Sequence, residues 1–273
     1  MYDFAYHRPA TVADAASALS THGDFKLLAG GMSLIPTLKL RLARYAGLVD
    51  LSGIAGLNGI KRDGDAMVIG AMTPHAVVAA SAEVASILPA LTSLASGIGD
   101  PLVRNCGTIG GSIAYADPAA DYPAGVLGLG ATVLTSRRRI AADDFFTGLF
   151  ETALRADEII TAVSFPVPRA AAYAKLPQQA SRFALVGVFV AQTTSGVRVA
   201  VTGAGPAVFR WRQAEAALGR RFEPAALEGM ALEAGGLNSD IHGSAEYRAH
   251  CAGVMAGRAV RAASSQRDQH RKT

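Results

Sequence analysis

Two glycine pairs, Gly30-Gly31 and Gly110-Gly111, set the terms on which this chain can fold. The segment Ala29-Gly30-Gly31-Met32-Ser33 follows the short apolar run Lys26-Leu27-Leu28, which reads as a strand, and Gly107-Thr108-Ile109-Gly110-Gly111-Ser112 again offers paired glycines flanked by hydroxyls. Glycine lets the backbone turn tightly and aim successive N–H groups at one point, where an anion such as a phosphate can sit. An ordinary tight turn is the competing reading of either loop alone. Two such loops suit a diphosphate, and hence a dinucleotide. Neither loop has the GxGxxG spacing of a Rossmann turn or the GxxxxGK spacing of a Walker loop. Gly203-Ala204-Gly205 is followed by Pro206, which lacks an N–H, and reads as a turn.

Apolar periodicity and breaker residues arrange the rest of the chain around these loops. Thr11 is placed to cap a helix from Val12 to Leu19, with Gly23 just past its end. Leu48-Val49-Asp50-Leu51 is an apolar segment after the basic stretch Lys39 to Arg44, and the turn Ser52-Gly53-Ile54-Ala55-Gly56 closes a first lobe, 1–55. A second lobe, 56–167, begins at Gly59-Ile60. It holds a strand over Ala66 to Ala71, a helix capped by Thr73 with Pro74 in its first position, and a helix over about Pro89 to Ser96. Two short β segments, Val133-Leu134-Thr135 and Arg139-Ile140, precede the apolar run Ile159 to Phe165, which Pro166 and Pro168 end. A third lobe, 168–263, has β segments at Ala184 to Thr193 and Val197 to Thr202. Its expected helices lie near Arg210 to Leu218, Pro224 to Ala234 and Ala245 to Ala263, and 264–273 reads as a disordered basic tail.

Composition closes off several functions. The net charge is +4, but Arg258, Arg261, Arg267, Arg271 and Lys272 lie in the last stretch rather than in a stripe, and the aromatics are scattered among apolar segments. Nucleic-acid binding is therefore not expected. The apolar stretch Ala124 to Leu134 is too short to span a bilayer, and Met1-Tyr2-Asp3-Phe4 has neither a basic n-region nor an apolar h-region. A cytoplasmic protein without a membrane span is the expectation. Cys106 and Cys251 are the two cysteines, too few for an iron–sulfur cluster, which takes about four thiolates. The six histidines lack zinc-ligand spacing, so no metal site is expected.

Two acids near the second loop have readings that stay open. Asp117-Pro118 looks like a helix start, with Asp117 as cap and Pro118 in the first position, and Asp121 would fall in the opening turn. There Asp121 either complements the helix dipole or accepts a hydrogen bond from a ligand. No catalytic dyad stands out.

Three stretches carry a family resemblance. Leu28 through Pro36, Arg104 through Asp121 and Lys175 through Val188, with Val201 to Pro206 and Tyr247-Arg248, resemble the medium, FAD-binding subunit of the molybdenum hydroxylases, the group of carbon monoxide dehydrogenase, xanthine dehydrogenase and aldehyde oxidase. The similarity spans nearly the whole chain. It implies an α+β architecture in which two α/β subdomains of the vanillyl-alcohol-oxidase-like flavin fold, 1–55 and 56–167, grip noncovalent FAD and a C-terminal α/β domain covers it. It also implies that Leu28, Ala29, Gly30, Gly31, Met32, Ser33 and Leu34 contact the cofactor from the first loop, and Thr108, Ile109, Gly110, Gly111 and Ser112 from the second. Asp121 matches the family's ligand-contacting acid, and Lys175 a lysine near the flavin, for which a flexible exposed lysine is the alternative. The first loop departs from the family at Met32, where histidine is common, and a thioether neither donates a hydrogen bond nor carries charge. Cys106 is read as a partly buried spectator thiol.

The resemblance further implies an electron-transfer role in a heterotrimer that can dimerise. A molybdenum-binding large subunit oxidises the substrate, a small subunit with [2Fe-2S] clusters relays electrons, and FAD on this chain passes them to NAD, a quinone or dioxygen. The rivals are a self-sufficient FAD oxidase, for which the residues after 167 leave little room for a substrate cap, and a flavin-free scaffold subunit.

Overall fold

The computed structural model describes residues 1–270, with side-chain surroundings through Ser265. Among the described residues three larger sheets and one two-stranded hairpin are strung along the chain. The first is parallel and small: β1 (Ala5–His7), β2 (Phe25–Leu28) and β3 (Gly47–Asp50) lie in the order β1-β3-β2. Helix α1 (Val12–Thr21) joins β1 to β2, and its first turn is closed by Asp14 N–H donating to Thr11 Oγ1 at 3.1 Å, the cap expected from sequence. Helix α2 (Leu34–Lys39) follows the first glycine loop. Ala15, Leu19, Val49 and Leu51 form a small core between helix and sheet.

The second sheet is antiparallel, in the order β4-β5-β10-β6-β7. Its members are β4 (Ile60–Asp63), β5 (Ala66–Gly70), β6 (Thr132–Thr135), β7 (Arg139–Ala141) and β10 (Ile160–Pro166), with the hairpin β8 (Phe146–Gly148) and β9 (Glu151–Thr152) beside it. Between β5 and β6 the chain makes six short helices: α3 (His75–Ala80), α4 (Ala82–Ile87), α5 (Pro89–Ser96), α6 (Pro101–Cys106), α7 (Ile109–Tyr115) and α8 (Tyr122–Leu129). A one-turn helix, α9 (Ala142–Phe145), follows β7.

Helix α3 is not capped as expected. Thr73 Oγ1 bonds instead to the main chain of Gly59, at 3.1 Å as donor and 3.0 Å as acceptor, and Pro74 is the cap residue. Asp117 does not start a helix either. Its carboxylate accepts from Ala119 N–H at 2.8 Å in a tight turn, and α8 begins later, after Asp121, with Pro123 in its first turn. Local carboxylate-to-backbone bonding served the turn rather than the helix, a competition that Asp residues commonly present.

The third sheet is an antiparallel meander of β11 (Ala170–Pro177), β12 (Ala184–Thr193), β13 (Gly196–Thr202) and β14 (Phe209–Arg210). Alternation along β12 divides its side chains between two cores. Val186, Val188 and Val190 meet Cys251, Met255 and Val260 of α11 (Ala245–His270), while Phe189 and Ala191 join the main core with Leu91, Leu94 and Val126. A strand buried on both faces reads as one continuous apolar run, as this one does. Every residue of α8 is buried, and a Cβ on Gly128 would come within 2.7 Å of the Phe189 ring, so glycine there lets the helix lie flat on the sheet.

Helix α10 (Arg212–Arg220) forms where expected, whereas the segment from Pro224 yields only a single 3-10 turn through Leu227. Gly229, Gly235 and Gly236 break the apolar pattern beyond it. Helix α11 does not end at Ala263. It continues through His270, so the tail expected to be disordered from residue 264 is helical as far as 270, and 271–273 lie outside the described residues. Residues 264–270 contain neither glycine nor proline, and once nucleated a helix adds one hydrogen bond per residue. Ser265 Oγ donates to Arg261 O at 3.0 Å in this extension. Buried Arg248 of α11 donates to Leu185 O at 2.8 Å and Gly203 O at 2.9 Å, tying the helix to the meander.

Candidate cofactor-binding site

The first loop leaves β2 and enters α2 through backbone that only glycine tolerates. Gly31 has φ of +71°, and a Cβ there would also meet Ile35 Cγ1 at 2.9 Å. At Gly30 a Cβ would lie 2.1 Å from Cys106 O and 2.8 Å from Gly107 Cα. The first loop is thus pressed against the main chain that leads into the second. Widely separated in sequence, the two glycine loops form one site.

The second loop is fastened from behind. His75 N–H donates to Gly107 O at 2.9 Å, Ile109 N–H to Thr73 O at 3.2 Å and Gly110 N–H to Ala71 O at 2.8 Å, which pins the loop to the chain between β5 and α3. Thr108 caps α7 by accepting from Gly111 N–H at 3.1 Å. The sequence reading of Gly110 as a residue that lends its backbone to a ligand needs correction, because its N–H is committed and it is buried. A Cβ at Gly110 would stand 2.6 Å from Ala71 Cβ, so the glycine serves close packing. Ile109 is likewise buried with its N–H committed. Gly111 faces the other way: a Cβ there would meet Thr108 Oγ1 at 3.0 Å and Ala29 Cβ at 3.5 Å, between the two loops.

The uncommitted donors lie where the loops meet. Among the described residues, the main-chain N–H groups of Gly30, Gly31, Met32, Ser33 and Thr108 donate no hydrogen bond, and the hydroxyls of Ser33 and Ser112 make none. Partly buried backbone donors need a partner, and a cluster of them from two loops is a receptor for a group with several acceptor oxygens. Leu28 and Leu34 flank the first loop, half-buried, and Met32 is 40% exposed. Met32 therefore does not pack into the core behind the loop.

Asp121 and Lys175 come together, though no hydrogen bond joins them to either loop among the described residues. Lys175 Nζ lies 3.0 Å from Asp121 Oδ1 and donates to Oδ2 at 3.1 Å, and it also donates to Gly97 O at 2.8 Å and Arg182 O at 3.0 Å. Tyr173 hydroxyl donates to Asp121 Oδ1 at 2.5 Å. Asp121 stands at the N-cap of α8 but makes no capping bond, its carboxylate being engaged by Tyr173 and Lys175. Burial pushes its carboxyl up, against the opposing pull of Lys175 and Tyr173. The Lys175 side chain is only 10% exposed, so the flexible surface lysine is excluded. The pair joins α5, α8 and β11, and so links the lobe carrying the second loop to the C-terminal meander.

Two residues behind the second loop escaped sequence reasoning. His75 is buried with Nε2 only 2.7 Å from where a Gly107 Cβ would be, and its ring centroid is 5.2 Å from that of Tyr122. Burial, reinforced by the charge of Arg104, drives its pKa from 6.5 down to about 4. Arg104 itself donates to Ile98 O at 2.9 Å and Gly99 O at 3.0 Å, shaping the turn before α6. His75 lies in no motif, and Arg104, although it opens the second resembling stretch, carries nothing in its sequence position that marks it as shaping the turn before α6. Cys106, expected to be partly buried, is exposed, since only its main chain is used in the loop contact.

This geometry coincides with a known family. The description "FAD binding domain in molybdopterin dehydrogenase" matches residues 2–168, and "CO dehydrogenase flavoprotein C-terminal domain" matches residues 171–263. The chain is 40% identical to the nicotine 6-hydroxylase medium subunit of Paenarthrobacter nicotinovorans, covering 89% of this chain and 91% of that one. It is 36% identical to the carbon monoxide dehydrogenase medium chain of Hydrogenophaga pseudoflava, covering 95% and 96%. A reconstituted carbon monoxide dehydrogenase from Oligotropha carboxidovorans superposes with a TM-score of 0.89 at 35% identity, over 97% of this chain and 98% of that one.

Proposed function

The chain belongs to the FAD-binding medium subunits of the molybdenum hydroxylases, and on that premise we propose that the paired glycine loops hold the diphosphate of its FAD. It is an oxidoreductase subunit that works with small and large partner subunits, on which the iron–sulfur clusters and molybdenum cofactor reside. The observation that carries the proposal is the meeting of Gly30 with Cys106 and Gly107, which gathers the unpaired N–H groups of Gly30, Gly31, Met32, Ser33 and Thr108 at one place.

Bound FAD supplies two-electron redox chemistry that the side chains of this chain lack. The loops contribute grip and electrostatics. Main-chain N–H groups already oriented by β2, α2 and α7 favour negative charge without reorganising, and the Ser33 and Ser112 hydroxyls add donors beside them. Asp121 and Lys175, buried and mutually neutralised, belong in this reading to the cofactor's surroundings as the pair that fixes the C-terminal meander against the flavin lobe. The terminal acceptor is NAD, a quinone or dioxygen, and the compartment proposed is the cytoplasm. No described helix is long and apolar enough to cross a membrane.

Purified with its partners, the chain is expected to show a flavin spectrum and to release intact FAD on denaturation. Fully loaded protein yielding FMN without adenine would remove the reason for two diphosphate-directed loops and sink the assignment.

A further inference from the structure

Helix α10 begins at a residue that cannot cap it. Trp211, at the N-cap, carries an indole, which donates and does not accept, so no side chain closes the helix end. The main-chain N–H groups of Arg212, Gln213 and Ala214 donate no hydrogen bond among the described residues. Trp211 is itself only 3% exposed, and its Nε1 is buried without a hydrogen-bond partner. Buried polar groups in native proteins are nearly always paired, so an indole N–H left alone beside an open space points to a partner from outside the chain. That space is present. A cavity of about 420 Å³ lies at this helix end, lined from one segment by Phe209, Trp211, Arg212 and Gln213 and from another by Leu232, Glu233 and Leu237. Small-molecule sites occupy roughly 300–1,000 Å³, mostly apolar with a few convergent polar groups.

Charge at the cavity is unevenly matched. Asp143 and Glu215 are shared among three guanidinium groups: Arg198 lies 2.9 Å from Asp143, and Arg210 lies 3.1 Å from Asp143 and 2.6 Å from Glu215. Arg212 is held loosest, 3.4 Å from Glu215 and 3.9 Å from Asp143, with its side chain 66% exposed. The positive end of the α10 dipole adds to it. Glu233 carries the opposite sign, but it is exposed and forms no ion pair among the described residues. Indole N–H, guanidinium, amide and helix N–H groups thus converge beside apolar walls, the set that receives an acceptor-rich head on an apolar body. The lining lies within 205–237, so the cavity belongs to the C-terminal domain and is separate from the glycine loops.

We propose that this cavity binds a small organic anion, a carboxylate or phosphate monoester on a flat apolar body, with its oxygens at the first turn of α10. The inference is independent of the FAD assignment.

Trp211 is the one tryptophan of the chain, so its emission reports on the cavity. The purified full chain is titrated with benzoate, with phenyl phosphate and with neutral benzyl alcohol. At least one of the anions is expected to change the emission saturably, with an affinity about tenfold or more above that of benzyl alcohol. Preference between the two anions identifies the head group. Gln213→Glu places a carboxylate in the first helical turn, where the dipole favours it. That variant is expected to melt at or above the parent temperature and yet lose about tenfold or more in anion affinity, and Arg212→Gln to lose a similar factor. Glu233→Gln should bind the anion more tightly than the parent. No saturable change with either anion overturns the proposal. So does equal binding of benzyl alcohol, which would make the cavity merely apolar, or parental anion affinity in Gln213→Glu.

Discussion

Gly110 and Gly111 are neighbours in sequence, yet the missing side chain serves a different end at each. Gly110→Val would drive atoms into Ala71, whose Cβ and O already lie 2.6 and 2.7 Å from an added Cβ, and overpacking of this kind costs about 1–3 kcal/mol or more. Gly111→Val would put its methyl groups between the loops, near Ala29 and Thr108. The expected outcome is that Gly110→Val lowers the melting temperature and loses FAD only as far as it unfolds, while Gly111→Val melts close to the parent and loses FAD. Identical melting losses in both, with flavin content tracking stability, would make Gly111 a packing residue too. His75 gives a pH signature. Its folded pKa, about 4, lies below the unfolded 6.5, so between those values the unfolded chain binds more protons and folding is progressively disfavoured as pH falls. The total loss is on the order of 3 kcal/mol by pH 4 and is absent above about pH 7. Urea midpoints for the parent and His75→Phe at pH 7 and pH 5 check this. The parent should lose more than the variant on acidification, and an equal loss in both would show that His75 is not the group responsible.

Among the elements, the junction of α5, α8 and β11 depends on one buried ion pair. Lys175→Met should cost about 3–5 kcal/mol, because Asp121 would be left buried with only the Tyr173 hydroxyl, and Gly97 O and Arg182 O would lose their donor. Adding Asp121→Asn to that variant should recover part of the loss. Chemical denaturation of the two variants decides it, and a double variant no more stable than Lys175→Met would place the cost in the lost carbonyl bonds rather than the unpaired acid. The elements that were legible in sequence had local causes: Thr11 capping α1, the continuous apolar run of β12, Pro89 opening α5. Those that were not were settled by a competing hydrogen-bond partner. Thr73 found Gly59 before it could cap α3, and Asp117 closed its own turn, so the start of α8 moved to a residue whose side chain is bonded to β11.

For the whole molecule, the flavin lobe and the C-terminal meander are held by more than apolar contact. Arg198 donates to Leu127 O at 2.9 Å and to both Asp143 oxygens at 2.9 Å, and Arg210 reaches Asp143 at 3.1 Å, so the meander is keyed to α8 and α9. The chain remains one partner of three in its chemistry. With Cys106 and Cys251 alone it cannot assemble a four-thiolate cluster, so the isolated subunit should pass electrons from chemically reduced flavin to an artificial acceptor but show no turnover of an organic substrate. Efficient oxidation of an alcohol, aldehyde or purine by the isolated subunit would overturn the subunit assignment. By itself the sequence determined the two glycine loops, the family and its FAD, because paired glycines, caps and apolar periods act over a few residues and leave their mark in order along the chain. It could not determine that Gly30 seats against Cys106 and Gly107, that Gly110 is spent on Ala71, that Asp121 and Lys175 neutralise each other, or that His75 stands behind the loop. Those are contacts between segments far apart in sequence, and which donor, acceptor or void each residue finds is decided only when packing brings the segments together.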